Sequence, residues 1–421
     1  MRILRKGRTT TMMRRKLLAV VMATACILTG CAPLHQNRGM EGMGIVEQLP
    51  TIAEVGDHAI EEYKAERAEE LELQVDDWIT THSLEAKVAQ MFMVTPDAIV
   101  GHEDVTVADE ELAEGLKKYP VGGLIYFSGN LENPKQAKAL LANTKQYYKE
   151  QNIVPPFMAT DEEGGQVSRI ANNSAFGIAN VGDMRKIGKT GDSEKASEVG
   201  NTLGSYLSDI GFNMDMAPDA DVLTNPKNEI IGKRSFGSDA ELVAEMSVAE
   251  AKSMHRQGVL PVYKHFPGHG GTVGDTHEGF VSIDQTLDEL YEDELIPFQE
   301  AIANDAEVIM VGHISVPEIT GNNEPSSLSQ YMITDVLRGQ MGYEEIVITD
   351  AMNMGAISDN YTSAEMAVQA VNAGVDIILM PVDFEKADQA ILDAVNSGAI
   401  SEERINESVR RILRVKYRLF E

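Results

Sequence analysis

The 421-residue chain carries a formal net charge of −30 at pH 7, with 43% hydrophobic and 24% charged residues. The apolar and charged fractions are ordinary for a soluble globular protein, and the length suits one large domain or two to three small ones. The negative charge argues against nucleic acid or an anionic membrane face as a partner, because both would repel the protein.

The first 30 residues have the pattern of a secretory signal peptide. They contain seven basic and no acidic residues, and the apolar run 17–28 is shorter than the roughly 20 residues that span a bilayer. The run leads into Leu28-Thr29-Gly30-Cys31, which resembles a bacterial lipobox, in which the cysteine is lipidated. A plain signal peptide with a chance cysteine is the alternative. We therefore expect an exported protein, anchored to the outer face of the cell membrane through Cys31.

The two cysteines, Cys26 and Cys31, both lie in this leader. The rest of the chain therefore offers no disulfide and no thiol nucleophile. Residues 31–79 are predicted to form a tether and a leading helix, because a loose segment is followed by a charged stretch of helical composition.

Eight short apolar runs follow, each succeeded by a helical pattern. Continuous apolar runs suit parallel strands buried on both faces, and eight such repeats predict an α/β fold with a single (β/α)8 TIM-type barrel over residues 80–421. A doubly wound open sheet is the alternative, weakened by the lack of a glycine fingerprint for NAD. A last helix is predicted to begin at Ser401. The runs span residues 89–94, 121–127, 155–160, 212–218, 259–266, 307–313, 345–350 and 375–380.

Charged and polar residues cluster where these predicted strands end. Barrel enzymes carry their chemistry at the carboxyl ends of the strands. Any one of these residues could be a helix cap or a structural ion pair, but together at one rim they indicate a functional site. The residues are Asp161, Glu163, Arg169, Asp219, Asp221, Arg234, Lys264, His265, His313 and Asp350.

The loop "KHFPGHGGTVGDTHEG", residues 264–279, is rich in glycine and histidine. Such a composition argues against a regular helix or strand. Metal binding, proton transfer and a plain surface loop are the open uses. His265, His269, Asp275 and His277 have zinc-ligand side chains, but their spacing fits no compact ligand motif, so we expect no metal and no cofactor.

Four motifs in this order resemble family 3 glycoside hydrolases, in the bacterial β-N-acetylglucosaminidase (β-hexosaminidase) branch. They are "DEEGGQVSR", "IGKRSFGSD", "KHFPGHGGTVGDTH" and "ITDAMNM", and the resemblance covers roughly residues 80–421. Asp275-Thr276-His277 resembles the Asp-Ser/Thr-His dyad of that branch. Other members of the family place the acid/base carboxylate in a following domain.

The resemblance implies that Asp350 is the catalytic nucleophile. Lys264 and Arg234 would help to keep it ionised. His277 would be the acid/base, polarised by Asp275 and carried by a mobile loop. The competing interpretation of Asp350 is an N-cap for the following helix.

The resemblance also implies a set of sugar-binding side chains, because charge-assisted hydrogen bonds hold hydroxyl groups well. Glu163, Asp219, Asp221 and His313 would support them from behind, His269 would shape the loop, and Trp78 would serve in packing. The predicted substrate-binding residues are Asp161, Arg169, Arg234, Lys264 and His265.

The expected function is a retaining exo-β-N-acetylglucosaminidase acting on terminal β-linked N-acetylglucosamine, with peptidoglycan fragments (muropeptides) as substrate. A β-glucosidase or a glycosyl phosphorylase on the same scaffold stays open, since a neutral histidine acid/base tolerates phosphate as a nucleophile. A non-catalytic sugar-binding lipoprotein and a metal-dependent hydrolase also stay open. The expected partners are the glycan and, through the lipid on Cys31, the membrane, without nucleic acid.

Overall fold

The computed structural model describes residues 52–272 and 281–420. The chain divides into two compact units, residues 1–63 and residues 64–421. The described part of the first unit, residues 52–63, is helical. The second unit contains all the described strands and every helix that begins after residue 81.

The described strands are short, and nearly all of their residues are buried. This burial is what parallel strands covered on both faces require. The strands are β1 Phe92–Val94, β2 Gly123–Ile125, β3 Phe157–Thr160, β4 Glu162–Gly164, β5 Val167–Ser168, β6 Met214–Asp215, β7 Leu260–Pro261, β8 Tyr263–Phe266, β9 Val281–Ser282, β10 Val308–Val311, β11 Ile314–Ser315, β12 Ile346–Thr349 and β13 Ile378–Leu379.

The helices separate the strands along the sequence. Within the described ranges, none combines the length and the apolar character that crossing a membrane requires. The helices are α1 Ile52–Thr81, α2 Leu84–Gln90, α3 Pro96–Val100, α4 Glu110–Lys118, α5 Pro134–Glu150, α6 Met184–Gly188, α7 Ser193–Ile210, α8 Ala240–Arg256, α9 Leu287–Glu292, α10 Ile296–Ala303, α11 Pro317–Thr320, α12 Gly355–Ser358, α13 Ser363–Ala373, α14 Phe384–Ser397 and α15 Glu402–Leu419, with 3-10 turns at Ser128–Asn130, Ser174–Phe176 and Ser326–Leu328 and a π-helix at Tyr331–Gln340.

Two parallel sheets organise the second unit. The larger has the strand order β13-β1-β2-β3-β6-β7, and the smaller has the order β12-β10-β8. All pairings in these two sheets are parallel. Parallel neighbours need crossover connections, which the intervening helices supply. The predicted α/β class is confirmed.

The two sheets touch at two places. On one side β7 ends at Pro261 and β8 begins at Tyr263, so a single residue separates them. On the other side Ile348 of β12 forms an isolated parallel bridge with Ile377, next to β13. The N–H of Thr349 also donates to the carbonyl of Ile377 at 3.0 Å.

Each of the eight predicted runs contains an observed strand. The first run was placed too early, because residues 89 and 90 belong to helix α2. That helix is capped by Ser83, whose Oγ accepts a hydrogen bond from the N–H of Ala86. The antiparallel hairpin β4–β5 and the pair β9–β11 were not predicted, since these strands have only two or three residues.

The last helix, α15, starts after Ser401 as predicted, with the Ser401 Oγ accepting from the N–H of Arg404. Its guanidinium groups anchor it to the sheet through Asp376, a fully buried carboxylate that precedes β13. Asp376 accepts from Arg411 at 3.1 Å and, from the π-helix, from Arg338 at 2.6 Å. Its Oδ2 also accepts from the backbone N–H of Val347 in β12, so one carboxylate ties three elements together.

Candidate active site

The polar residues at the strand ends surround one cavity of about 160 Å³. β3 leads into Asp161, β8 contributes Lys264 and His265, and β12 leads into Asp350. Arg169 comes from β5 and its following turn, and Arg234 from the segment before α8. The predicted site residues that line the cavity are Asp161, Arg169, Arg234, Lys264, His265 and Asp350.

Three predicted site residues cannot be placed. Asp275, His277 and Cys31 lie outside the described residues, so the acid/base dyad and the lipidation site stay predictions. The cavity therefore contains the predicted nucleophile and all five predicted sugar-binding residues. The predicted acid/base, His277, is not among the described residues.

A larger cavity, of about 620 Å³, lies at the opposite ends of the strands. Its lining includes Pro261, Glu307 and Glu345, which lie within or immediately before β7, β10 and β12. Parallel barrels and sheets bind their ligands at the carboxyl ends of the strands. We therefore assign the site to the smaller cavity.

Glu163 is the centre of the ion-pair network in this cavity. Its carboxylate lies 2.5 Å from Nζ of Lys264, and it accepts from Nε and Nη2 of Arg234 at 2.7 and 2.8 Å. Burial opposes ionisation of Glu163, but Arg234 and Lys264 lower its pKa to about 2. The charged carboxylate fixes both cationic side chains at the cavity wall.

Asp161 lies between two cations. Its carboxylate oxygens lie 3.2 Å from Nη2 of Arg169 and 3.4 Å from Nζ of Lys264. The guanidinium of Arg169 also stacks over the ring of Phe127, with 5.3 Å from Cζ to the ring centroid. This arrangement holds Asp161 as an acceptor that is still partly exposed to a ligand.

Glu162 positions the hairpin that carries Arg169, although it does not line the cavity. Its carboxylate accepts from three consecutive backbone N–H groups, those of Arg169, Ile170 and Ala171. The hydroxyl of Tyr206 in α7 donates to it at 2.8 Å. Burial raises the pKa of Glu162, and these donors oppose that rise.

Asp350 is a partly buried carboxylate whose environment favours ionisation. Burial acts to raise its pKa, but His265, His313, the N–H of Ala351 and Lys264 together lower it below the usual value. Its Oδ1 accepts from the N–H of Ala351 at 2.7 Å. An ionised carboxylate at a strand end, facing a polar cavity, has the properties of a nucleophile.

The helix-cap interpretation of Asp350 is wrong. The next helix, α12, begins at Gly355 and has Met354 at its N-cap position. The expected contribution of Arg234 to the charge around Asp350 also needs correction. Arg234 is engaged by Glu163 and, at 3.3 Å, by Asp219, whereas the side chains that lower the pKa of Asp350 are His265, His313 and Lys264.

The two described histidines of the loop have different environments. His265 Nδ1 lies 2.7 Å from Oδ2 of Asp221. His269 hydrogen-bonds Thr272 through its own Nδ1 at 2.8 Å, and burial together with the neighbouring His265 lowers the pKa of His269 to about 4. His269 is therefore neutral near pH 7, and its ring is held by the hydrogen bond with Thr272.

Three buried side chains have a geometry compatible with a metal ion. Among the described residues, Asp219, Asp221 and His265 have ligand atoms close enough together to hold one. Each of them is already paired within the protein, Asp219 with Arg234 and Asp221 with His265. We therefore assign them to the ion-pair network.

Sequence reasoning missed the apolar side chains of the cavity. The signal for them was weak, because five of the eight lie within apolar runs, where their neighbours are also apolar, and the other three lie in polar segments between the runs. Only the fold tells the inward-facing positions from the outward-facing ones. The missed residues are Ile125, Phe127, Val167, Ile230, Met310, Met354, Leu379 and Met380.

The comparisons with known proteins agree on one family. A family profile described as the glycosyl hydrolase family 3 N-terminal domain matches residues 83–415. The chain is 34% identical over 276 residues to "Beta-hexosaminidase LpqI" of Mycobacterium tuberculosis, with 62% of this chain and 68% of that protein covered.

Two further relatives are longer than this chain. It is 33% identical over 339 residues to "Beta-hexosaminidase A" of Pseudoalteromonas piscicida, covering 75% of this chain and 56% of that protein. The solved structure of a glycoside hydrolase family 3 β-N-acetylglucosaminidase from a Paenibacillus species superposes with a TM-score of 0.74 at 37% identity, covering 81% of this chain and 64% of that one. The chain thus spans less than two thirds of the length of both.

Proposed function

Because this chain belongs to glycosyl hydrolase family 3, we propose that it is a retaining exo-β-N-acetylglucosaminidase. It removes terminal β-linked N-acetylglucosamine from a glycan. The names of the relatives, β-hexosaminidase and β-N-acetylglucosaminidase, support this substrate class. The observation that carries the proposal is the convergence of Asp350 with Asp161, Lys264 and His265 on one cavity.

The reaction is a double displacement, which preserves the configuration of the anomeric carbon. Asp350 attacks the anomeric carbon while the leaving oxygen takes a proton from His277, so the glycosidic bond breaks and a covalent glycosyl-enzyme forms. His277 then removes a proton from water, the water oxygen attacks the same carbon, and Asp350 leaves as a carboxylate. Asp275 fixes the tautomer of His277 and stabilises its charged form.

The cavity supports the other requirements of this reaction. The lowered pKa of Asp350 keeps the nucleophile ionised at neutral pH. Asp161 accepts hydrogen bonds from sugar hydroxyls, while Arg169, Arg234, Lys264 and His265 supply the complementary groups. The apolar wall that includes Met310 and Met380 excludes water from the other side of the sugar.

The two parallel sheets form a single (β/α)8 barrel in this proposal. The single residue between β7 and β8 and the bridge between Ile348 and Ile377 support closure on both sides. Closure brings all carboxyl strand ends to one rim, where barrel enzymes place their catalytic groups.

The proposed domain organisation follows from the sequence. Residues 1–30 are a signal peptide, residues 31–79 are a tether and leading helix, and residues 80–421 are the catalytic domain. Helix α1, which runs to Thr81, and the family match from residue 83 support the boundary near residue 80. Lipid on Cys31 anchors the exported enzyme at the outer face of the membrane, where peptidoglycan fragments are its substrate.

The test is hydrolysis of p-nitrophenyl N-acetyl-β-glucosaminide by the purified wild-type protein, Asp350→Ala and His277→Ala. We expect wild-type release with a β-configured sugar product by NMR. Asp350→Ala should lose activity by at least about a thousandfold. The matched control is Asp209→Ala, which changes an exposed aspartate of α7 that pairs with Lys138; it should keep full activity.

Different results would favour the competing functions. Sugar 1-phosphate formed in phosphate buffer would indicate a phosphorylase, and faster turnover of the β-glucoside would indicate a β-glucosidase. Binding of N-acetylglucosaminides without turnover would favour a sugar-binding lipoprotein, and loss of activity with a chelator would favour a metal-dependent hydrolase. Full activity of Asp350→Ala contradicts the proposed nucleophile.

A further inference from the structure

Asp221 is a buried carboxylate behind the cavity, not in its wall. Its side chain is 0% exposed, and it follows strand β6 in the segment "MAPDADV". Its backbone is fixed on both sides, because its N–H donates to Oδ1 of Asp219 at 3.1 Å and its carbonyl accepts from Oγ of Ser235 at 2.7 Å. Any effect of Asp221 on a bound sugar therefore passes through another side chain.

The two carboxylate oxygens of Asp221 have separate partners. Oδ1 accepts from the backbone N–H groups of His265, at 3.2 Å, and His269, at 2.7 Å. Oδ2 lies 2.7 Å from Nδ1 of the His265 ring. One oxygen thus holds the backbone where β8 enters the glycine-rich loop, and the other holds the imidazole.

The charge of Asp221 determines which ring nitrogen carries the proton. Burial opposes ionisation, but the pairing with the His265 ring and the hydrogen bond from the backbone N–H of His269 lower the pKa of Asp221 far below its usual value. An ionised carboxylate only accepts hydrogen bonds, so Nδ1 of His265 must be the donor. The other nitrogen, Nε2, lies 3.3 Å from Nη2 of Arg234 at the cavity wall.

Only one neutral tautomer satisfies both neighbours. With the proton on Nδ1, the ring donates to Asp221 and presents the Nε2 lone pair to the N–H of Arg234 and to the hydroxyl proton of a sugar. With the proton on Nε2, two donors would face each other at Arg234, and a lone pair would face the carboxylate of Asp221.

We propose that Asp221 is a positioning residue, which holds His265 with its proton on Nδ1 so that Nε2 is the hydrogen-bond acceptor for the substrate at the cavity wall. The role in sugar binding rests on the proposed function, whereas the tautomer of the free protein does not. The predicted tautomer of His265 and its role in sugar binding can therefore be disproved independently of each other.

The first measurement is the tautomer of His265 in the wild-type full-length chain. Long-range ¹H–¹⁵N spectra of protein with ¹⁵N-labelled histidine distinguish protonated from unprotonated ring nitrogens, and the spectrum of His265→Ala identifies the His265 signals by their loss. We expect a protonated Nδ1 and an unprotonated Nε2 at neutral pH. A proton on Nε2, alone or together with one on Nδ1, would overturn the proposal, whether or not the protein hydrolyses any glycoside.

The second measurement uses Asp221→Asn. The carbonyl oxygen of the new amide can keep both backbone contacts, but its NH₂ group then faces Nδ1 and favours the opposite tautomer. We expect the ¹⁵N pattern of His265 to invert and kcat/KM on p-nitrophenyl N-acetyl-β-glucosaminide to fall on the order of 10–100-fold.

The third measurement separates positioning from a merely structural role. If Asp221 acts through His265, then Asp221→Asn should cause little further loss of kcat/KM in a His265→Ala background. Full, multiplicative losses in the double variant would overturn the proposal. Glu250→Gln is the matched control, since it changes a buried carboxyl outside the cavity and should leave the His265 signals and kcat/KM unchanged.

Discussion

Asp161, Glu162 and Glu163 are consecutive acidic residues with three different environments. Asp161 faces the cavity between Arg169 and Lys264, Glu162 binds the backbone of the hairpin, and Glu163 forms a buried ion-pair centre. Their partners lie 7 to 103 residues away in the sequence. Residue type does not distinguish these three acidic side chains, because their separate roles come from their different neighbours in the fold.

Glu163→Gln is expected to destabilise the protein and weaken substrate binding together. The amide keeps the shape of the side chain but removes the charge that Lys264 and Arg234 share, so that each cation keeps only its longer contact, with Asp161 or Asp219. Breaking a buried ion pair by removing one partner typically costs about 3–5 kcal/mol. Urea denaturation should show a loss of this size, and KM for the glycoside should rise.

The control for this prediction is Glu198→Gln. Glu198 forms an exposed ion pair with Lys195 in α7, and surface pairs of this kind contribute little. Its variant should match the wild type in both measurements. Wild-type KM in Glu163→Gln would contradict the idea that Glu163 holds the cationic wall of the cavity.

Asp388 in α14 gives a prediction about pH. Burial, followed by the nearby Glu85 and Glu385, raises the pKa of Asp388 to about 6. The unfolded chain has a value of about 3.9, so the native state binds the additional proton between these pH values and loses stability as pH rises from about 4 to 6. After allowing for partial solvent screening, Asp388→Asn should stabilise the protein by about 1–2 kcal/mol at pH 7 and have little effect below pH 4.

Thermal or urea unfolding at pH 7 and near pH 3.5 measures this effect. Asp393→Asn, an exposed substitution five residues further along the same helix, serves as the control and should show no pH-dependent gain. An equal effect of Asp388→Asn at both pH values would mean that the gain comes from helix propensity and not from the buried charge.

Helices α7 and α8 approach each other closely at Gly200. A Cβ atom at this position would lie 2.0 Å from the backbone carbonyl oxygen of Glu250, an impossible distance without movement of one helix. A glycine in a helix interior usually costs stability relative to alanine. Here the close approach of the two backbones outweighs that cost.

Gly200→Ala should therefore destabilise the protein despite the better helix propensity of alanine. Overpacking of this kind costs about 1–3 kcal/mol. Thr202→Ala, an exposed change two residues further along α7, is the control and should be near neutral. If urea denaturation gave Gly200→Ala a higher free energy of unfolding than the wild type, the two helices would be able to move apart without loss of stability.

At the scale of the whole molecule, the charge of −30 sets up repulsion that the fold must overcome. Dissolved salt screens exposed charges beyond a Debye length of about 10 Å at 0.1 M, whereas buried pairs such as Glu163–Lys264 are screened much less. We expect Tm to rise when NaCl increases from about 10 mM to about 200 mM at pH 7.

The same increase in NaCl concentration at a pH near the isoelectric point of about 4.6 is the control, because the net charge, and with it the repulsion, is small there. The rise in Tm should shrink at that pH. A Tm that falls with salt at pH 7 would mean that attractive surface ion pairs outweigh the net repulsion.

The sequence by itself determined the α/β class and the eight apolar runs in which strands form. Continuous apolar runs are a local signal of strands buried on both faces, so they can be read without knowledge of contacts. The sequence also placed polar groups at the strand ends, and seven of these, including Asp350, line the cavity. The four family motifs contain all seven of these residues.

Only the tertiary structure decided which groups meet. It excluded Asp350 as a helix cap, engaged Arg234 with Glu163 and Asp219, and placed Asp221 behind His265. It also distinguished the apolar residues of the cavity from those of the core. Ion pairs, burial and pKa shifts depend on distances between segments far apart in the chain, and those distances are set by the packing of the sheets and helices, not by local sequence.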